Sequence, residues 1–500
     1  MRTKKALKNT ITSMTYQIIA IVCGLILPRM ILTYFGSSYN GILSSISQFL
    51  SCASLLVAGV GGVTRASLYK PLAENDVESV SEIIMATQKF MRKVAIILVF
   101  GIVGVASVYP FLVSYEFDWL FSFTLVLILG ISTIMQYYFG VTYQILLQAD
   151  QRLYVISIVQ IITTVGNTIL AIVLLRMGFG IHIVKLGSAF VFSLNPLIIN
   201  LYVSGKYKID KNAKPNDAAL KQRWDAFWQA IAYFVHNNTD VMVLTVFADI
   251  KEVSVYTVYN YVISNIKTFV VNFINGFGAA FGNMLAKGEI ELAKKNLKVY
   301  ELIIFGLTAV IYSTAGIMIV PFAMLYTKGV YDVDYARTTF ALIATVAGAF
   351  SCFRIPYQVI VEAAGHYKQT RNGAILEAAL NITISLIAVV KFGIVGVAVG
   401  TLVATIFRSV QYARYLSKNL IQRSLWIFFG HVALTAVIAA LTVLIANRFL
   451  IWDPANFMEW LGKAFFVAAI SAVLTLAGNS VFYGKDMIYL LSKIKNMRNK

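Results

Sequence analysis

The sequence has few charged residues for its length. Asp, Glu, Lys and Arg make up only 13% of its 500 residues, about half the share in an ordinary soluble domain. Its three cysteines, Cys23, Cys52 and Cys352, have no CxxC or other metal-ligand spacing. Walker and Rossmann glycine motifs are also absent. These absences argue against a soluble enzyme, a nucleic-acid-binding domain, a redox site and an ATP-driven pump within this chain.

Apolar residues are what the sequence has in abundance, at 59% of the chain with a mean hydropathy of +0.74. Polar or Pro/Gly-marked breaks separate fourteen stretches that are each long enough to cross about 30 Å of hydrocarbon. A backbone exposed to lipid must satisfy its own hydrogen bonds, and the alternating pattern of a membrane barrel is absent. The sequence therefore predicts an all-α polytopic membrane protein with about 14 transmembrane helices.

The net charge of +19 comes from an excess of basic residues, most of which fall on one side of the predicted membrane spans. With fourteen spans, 31 of the 42 Lys and Arg residues fall on the side of the two termini and eight on the other. Loops rich in Lys and Arg stay in the cytoplasm. We therefore expect both termini and the basic loop 204–223 to be cytoplasmic, and we expect no nucleic-acid partner.

An internal repeat divides the predicted spans into two sets of six. Aligned pairs recur along the chain at a nearly constant offset: Phe35 with Phe247, Tyr143-Gln144 with Tyr357-Gln358, Asn167 with Asn381, Phe179 with Phe392, and Gly187 with Gly400. Because six is even, the two lobes have the same orientation, related by a pseudo-two-fold axis along the membrane normal. The predicted domains are 1–205 (six-helix lobe), 206–223 (cytoplasmic basic connector), 224–418 (second six-helix lobe), and 419–500 (two accessory helices and a basic tail).

A charge inside a span costs about 2.5–3.5 kcal/mol on insertion scales and therefore needs a cavity or a partner. The five informative ionisable residues are Arg29, Arg65, Asp240, Lys267 and Arg354. Because four of the five are cations, we expect them to line a central cavity that binds an anion. Arg and Lys suit phosphate, through bidentate hydrogen bonds and a point charge respectively.

Polar residues share helix faces with these charges and predict a hydrated lining. The predicted lining residues are Asn237, Asn260, Ser264, Asn275 and Gln358. Asp240 is the leading candidate for ion coupling, with His236 one turn away as the second. Alternatively, Asp240 forms a structural salt bridge with Lys267 or Arg29, and Arg65 reaches the cytoplasmic headgroups. The four histidines lack ligand spacing, so no metal is expected.

Three segments resemble bacterial polysaccharide flippases of the O-antigen (Wzx) type. They are RMILTYFGSSYNGI at 29–42, LLVAGVGGVTRASLYKPLAEND at 55–76, and FGIVGVAVGT at 392–401. These flippases belong to the multidrug/oligosaccharidyl-lipid/polysaccharide (MOP) exporter superfamily. The resemblance covers essentially the whole chain and implies two six-helix lobes plus two helices.

The resemblance also implies a function at the bacterial cytoplasmic membrane without a cofactor. Such a protein moves undecaprenyl-diphosphate-linked oligosaccharide to the outer leaflet by alternating access, among membrane lipids and alongside a polysaccharide polymerase and glycosyltransferases. In the lipid II branch, arginines of spans 1, 2 and 8 line the cavity, and Arg29, Arg65 and Lys267 occupy similar places here. The lysine departs from that pattern and puts bidentate diphosphate binding at this position in question.

Three alternatives stay open on the sequence. A multidrug/toxin extruder of the same superfamily exchanges organic cations, which favours an acidic cavity. A lipid II flippase moves a related lipid-linked substrate. A membrane scaffold positions glycosyltransferases without transporting anything.

Overall fold

The computed structural model describes residues 2–57, 60–216, 234, 238–274 and 277–498. Across these residues the chain is helical and contains no strand, which confirms the predicted fold class. The first helices are α1 (Arg2–Phe35), α2 (Ser37–Ser51), α3 (Val60–Glu74), α4 (Val77–Leu112), α5 (Trp119–Met135), α6 (Val141–Ala149), α7 (Leu153–Arg176) and α8 (Ile181–Lys206). The rest are α9 (Asn238–Phe247), α10 (Ile250–Ile274), α11 (Phe277–Ala286), α12 (Ile290–Tyr326), α13 (Thr338–Phe353), α14 (Ile355–Ala363), α15 (Tyr367–Phe392), α16 (Ile394–Asn419), α17 (Trp426–Phe449) and α18 (Phe457–Arg498).

The number of membrane spans is lower in the described residues than the fourteen predicted. Eleven helical segments are long and apolar enough to cross a membrane, and the bent pair of α2 and α3 makes a twelfth if it is one span. Most of the predicted seventh span, 224–248, lies outside the described residues, and the part that is described forms the short helix α9. The predicted eighth span corresponds to α10 and α11, which are not among the eleven. The exact count of fourteen is not confirmed.

The chain forms two compact units, Met1–Ser254 and Val255–Lys500, which divide within α10. In the first unit, α1 packs on α7, α7 on α8, and α4 and α8 on α5. In the second unit, α15 packs closely on α16, and α12 packs on α13, α17 and α18. The predicted lobe boundaries stay a prediction.

Helix boundaries recur along the chain in the register of the sequence repeat. The helices that begin at matching positions are α2 and α10, α4 and α12, α6 and α14, α7 and α15, and α8 and α16. A π-helical turn, Gln136–Gly140, separates α5 from α6, and a break at Arg354 separates α13 from α14. Because Gly140 aligns with Arg354 in the register that pairs Tyr143 with Tyr357, both repeats interrupt a long apolar helix at the same position.

Local sequence explains how several of these helices begin and pack. Asp76 caps α4 by accepting a hydrogen bond from the Ser79 backbone N–H at 3.1 Å. Hydrogen bonds from the Ser79 side chain and from this backbone N–H lower the pKa of the Asp76 carboxyl. Gly393 allows the sharp turn between α15 and α16 with a φ of 53°. On the next helix, a Cβ on Gly396 would lie 2.4 Å from the Ala388 carbonyl, so only glycine permits this close helix contact.

The start of α1 is fixed to the turn between α6 and α7. Lys5 Nζ lies 3.1 Å from Asp150 Oδ1, and the Tyr207 hydroxyl donates to Asp150 Oδ2 at 2.6 Å. Arg152 pairs with the same carboxylate. Burial alone would raise the Asp150 pKa, but hydrogen bonds from Tyr207, Lys5 and Arg152 outweigh it and lower the pKa. The carboxylate therefore stays ionised and holds three chain segments together.

Candidate functional site

The first unit contains three of the five charges predicted inside the spans. Arg29 is half-buried in α1, and its backbone carbonyl accepts a hydrogen bond from the Thr33 hydroxyl one turn later. Arg65, half-buried in α3, donates to the Gln148 side chain of α6 at 3.2 Å. Asp240 is buried in α9. The structure therefore gives Arg65 a polar partner on a neighbouring helix.

Helix α2 forms a buried polar contact with α9 and the first turns of α10, here termed the α2 contact zone. Asn40 donates to the Ser254 hydroxyl at 2.8 Å, and the hydroxyls of Ser45 and Thr245 lie 2.7 Å apart. All four residues are buried. A Cβ on Gly41 would lie 2.0 Å from the Ile250 carbonyl oxygen, so the absence of a side chain lets the two backbones meet.

The first unit also contains a large, open cavity, here termed the first-unit cavity. Its volume is about 710 Å³, and α1, α2, α5, α6, α7 and α8 contribute to its walls. Its polar lining comes from hydroxyl and amide side chains with a single lysine: Tyr16, Ser47, Ser51, Ser54, Ser132, Thr133, Gln136, Tyr137, Gln144, Gln160, Thr163, Thr164, Asn167, Lys185, Ser188 and Asn195. No carboxylate is among the described residues that line it.

The second unit contains a buried cluster of three cations around one carboxylate. Arg354 Nη1 lies 2.8 Å from Glu377 Oε1, and Arg408 Nε lies 3.3 Å from Glu377 Oε2. Lys267 is close enough to Arg354 and Glu377 to interact with both electrostatically. We term these four residues the Glu377 cluster. Three positive charges against one negative charge leave an excess of two around a buried carboxylate.

A second buried carboxylate in this unit is fully engaged in structural contacts. Arg423 forms a bidentate pair with Glu301, and the Tyr357 hydroxyl donates to the same carboxylate. Glu301 has no exposed surface. These bonds join α12 and α14 to the segment that precedes α17, so Arg423 contributes no excess charge.

The predicted polar lining is only partly brought together. The Ser264 hydroxyl donates to the Asn260 side chain at 3.3 Å, one turn apart on the same helix as Lys267. The Gln358 side chain donates to Glu362 at 2.7 Å, and its backbone N–H donates to the Arg354 carbonyl at 3.0 Å. The other two predicted lining residues, Asn237 and Asn275, lie outside the described residues, as does the ion-coupling candidate His236.

The overall architecture matches that of several solved transporter structures. The lipid II flippase MurJ, in an inward closed conformation, aligns with a TM-score of 0.69 at 16% identity, over 96% of this chain and 99% of that one. An inward-facing multidrug resistance MATE family transporter of the MOP superfamily aligns with a TM-score of 0.62 at 13% identity, over 82% and 98%. The chain has the fold of the MOP superfamily transporters.

A MOP superfamily transporter from Pyrococcus furiosus also has this fold, with a TM-score of 0.58 at 12% identity, over 84% of this chain and 97% of that one. Its binding pocket is described as having reverse polarity, with a different function. These proteins with the MOP fold are transporters, not enzymes. No protein-family model matches the sequence, and no curated protein matches it either.

Within this MOP fold, sequence reasoning missed the acidic partners in the second unit. Glu377 and Glu301 each lie in a long apolar helix, where their spacing from any arginine gives no signal, because the partners come from other helices. The sequence pattern places Lys185 at the flank of a loop, yet it lies on α8 and lines the first-unit cavity. One feature of the sequence indicates this position: Lys185 lies inside an apolar run, and the aligned residue of the other repeat is Ala398.

Proposed function

We propose that this chain is a flippase for undecaprenyl-diphosphate-linked oligosaccharide repeat units. In this proposal it lies in the bacterial cytoplasmic membrane with both termini in the cytoplasm, and it supplies surface polysaccharide synthesis such as O-antigen, capsule or exopolysaccharide. The observation that carries the proposal is the net positive Glu377 cluster. A diphosphate offers the negative charge that such a cluster lacks.

The fold supports a lipid-linked substrate. The flippase MurJ aligns over 96% of the chain, whereas the MATE transporter aligns over 82% of it. Lys267 and Arg354 act on the diphosphate while Arg29 and Arg65 complete the cationic cavity, and the polyprenyl tail stays in lipid. Asn260, Ser264, Asn275, Asn237 and Gln358 supply polar lining in this proposal.

Alternating access assigns a role to the α2 contact zone. The repeat places α2 in the first lobe and α9 with α10 in the second, and the charge rule places this zone toward the outer face. The zone then closes the outer exit, and it separates when substrate leaves. An ion gradient or the membrane potential drives the cycle, with Asp240 and His236 as coupling candidates.

Substitution of Lys267 tests the proposal in cells. Lys267→Ala should cause lipid-linked repeat units to accumulate on the cytoplasmic face and should reduce surface polysaccharide, because the excess charge falls from two to one. Lys267→Arg should retain most transport, and Lys391→Ala, which removes an exposed cation at the end of α15, should have no effect. Normal polysaccharide in Lys267→Ala, at wild-type protein levels, would contradict the proposal.

Purified protein in liposomes separates the alternatives. The proposed flippase moves a lipid-linked oligosaccharide without added enzymes, whereas a scaffold that only positions glycosyltransferases and a polymerase moves none. A lipid II flippase would sustain growth when the cell's own lipid II flippase is depleted. A multidrug extruder would raise resistance to cationic drugs without any change in surface polysaccharide.

A further inference from the structure

Lys185 brings a positive charge into the first-unit cavity with no protein group to balance it. Among the residues that the structure describes, none accepts a hydrogen bond or forms an ion pair with its ammonium, and no carboxylate lines the cavity. The side chain lies one turn into α8 and is partly buried. A charge in this position calls for an anionic group that enters the cavity from outside the protein.

Unsatisfied acceptors lie in the same cavity. The side-chain oxygens of Asn167 on α7 and Asn195 on α8 are buried and receive no hydrogen bond from the part of the chain that is described. Asn195 is oriented by donating its amide N–H to Thr163 at 3.5 Å. Because buried polar atoms are nearly always paired, these oxygens are suited to hydroxyl donors from a bound molecule.

The repeat shows that the scaffold does not require Lys185. In the register that pairs Gly187 with Gly400, Lys185 aligns with Ala398, which is buried in α16. Asn381, the counterpart of Asn167, donates its amide to Thr401 at 2.9 Å within the second unit. The same helix pair therefore packs without a lysine in one repeat, and with an unbalanced lysine beside a cavity in the other.

We propose that the first-unit cavity binds a sugar unit that carries a carboxylate, as part of the transported oligosaccharide; this inference rests on the proposed flippase function. The carboxylate accepts from Lys185, while ring hydroxyls donate to Asn167 and Asn195. Tyr16 and Tyr137 offer aromatic faces for the apolar side of a sugar ring. The volume of about 710 Å³ falls within the range of small-molecule sites and accommodates one or two sugar rings.

Equilibrium binding to the purified full-length protein in lipid nanodiscs tests this site with two probes, glucuronate and glucose. Glucuronate should bind saturably and about tenfold more tightly than glucose, because one charge-assisted hydrogen bond distinguishes them. Lys185→Gln should remove that difference, and Lys185→Arg should keep most of it. Lys206→Gln, at the exposed end of the same helix, should leave both affinities unchanged.

Three results would overturn the inference. They are the absence of saturable glucuronate binding, a glucuronate affinity that Lys185→Gln leaves unchanged, and displacement of glucuronate by millimolar chloride, which would indicate a site for small inorganic anions. Asn167→Ala supplies a second measurement: it should weaken glucose and glucuronate alike, because it removes an acceptor for hydroxyls.

The Lys267→Ala assay keeps this inference separate from the proposed function. If Lys267→Ala blocks polysaccharide export but glucuronate does not bind, the flippase function stands and the sugar site fails. If glucuronate binding depends on Lys185 while Lys267→Ala exports normally, the flippase proposal fails and the site remains as a carbohydrate site of another transporter.

Discussion

At the scale of single residues, two buried glutamates determine what the cations of the second unit do. The Glu301 carboxylate accepts hydrogen bonds from Arg423 and Tyr357, so these three residues form a structural contact between chain segments. Glu377 is shared by two arginines and leaves positive charge in excess. Removal of one partner from a buried ion pair is costly, because the other charge stays uncompensated. The two sites therefore respond differently to substitution.

Glu377→Gln should destabilise the second unit by about 3 to 5 kcal/mol, since it leaves Arg354 and Arg408 without a counter-ion. The thermal midpoint of the detergent-solubilised protein measures this effect. Glu291→Gln is the control, because the Glu291 side chain is 85% exposed and pairs only with Lys294 in its own helix. Equal midpoints for the two variants would show that Glu377 is not needed to hold the arginines.

Asp150→Asn should release the start of α1, because it removes the charge that Lys5 and Arg152 contact. Hydrogen exchange of the first turns should rise in this variant. It should not change in Asp118→Asn, where an exposed carboxylate precedes α5 without capping it. Slow exchange in Asp150→Asn would show that packing alone holds α1.

The same contact has a defined pH dependence in the wild-type protein. The Asp150 pKa is lowered in the folded state, so its contribution is complete above the ordinary aspartate value of about 3.9 and disappears as the pH falls through the lowered value. Protection of the α1 start should therefore persist to about pH 4 and decrease on further acidification. Exchange that rises between pH 7 and pH 5 would contradict this.

At the scale of helices, the α2 contact zone is the clearest candidate for a moving part. Its hydroxyl and amide contacts are individually modest, and Gly41 allows a close approach without interdigitating side chains. Such a surface can separate and re-form. The contact between α15 and α16 differs, because Gly396 and Gly400 lie directly against the backbone of α15.

A reversible cross-link tests movement at this zone. Cysteines introduced as Ser45→Cys and Thr245→Cys, in a chain whose three native cysteines are replaced by alanine, should form a disulfide under oxidation because the native hydroxyls lie 2.7 Å apart. Oxidation should stop transport in proteoliposomes, and a reductant should restore it. Each single cysteine variant serves as the control. Full transport by the oxidised double variant would mean that the zone stays closed throughout the cycle.

The helices themselves are largely predictable from the sequence, because length and hydropathy depend only on local composition. The interruption of apolar stretches is less predictable. Gly140 ends the π-helical turn after α5 and Pro356 follows the break at Arg354, but Pro110 and Pro321 lie inside α4 and α12 without ending them. Side-chain partners are least predictable. Arg354 is recognisable as a membrane charge, yet its partner Glu377 comes from the next long helix, and only tertiary packing brings them together.

At the scale of the whole molecule, the distribution of charge carries two kinds of information. Most basic residues lie in loops and tails, where they set orientation, and a few lie among the helices, where they meet carboxylates or cavities. Position in the sequence separates most members of these two groups, but it places Lys185 among the loop residues. The sequence could not show that Lys185 lines a cavity while Arg408 forms an ion pair with Glu377. Both arrangements depend on which face each helix turns toward its neighbours.

The predicted orientation is testable with reporter fusions. Green fluorescent protein fused after Lys500 should fluoresce, and alkaline phosphatase at the same place should be inactive, because the excess of Lys and Arg places the C-terminus in the cytoplasm. Alkaline phosphatase inserted between α7 and α8, after Gly178, should be active. The opposite pattern at both positions would reverse the topology and place the α2 contact zone at the inner face.

The interruption shared by the two repeats bears on the history of the protein. The chain is interrupted after α5 and again after α13, at equivalent positions of the two repeats. If the halves arose separately, the interruption evolved twice. If one half already had the interruption before gene duplication, it evolved only once. The Glu377 and Lys185 features differ between the halves, so at least one copy changed at these positions after duplication. By this ordering, the shared interruption is older than the difference in buried charge between the two repeats.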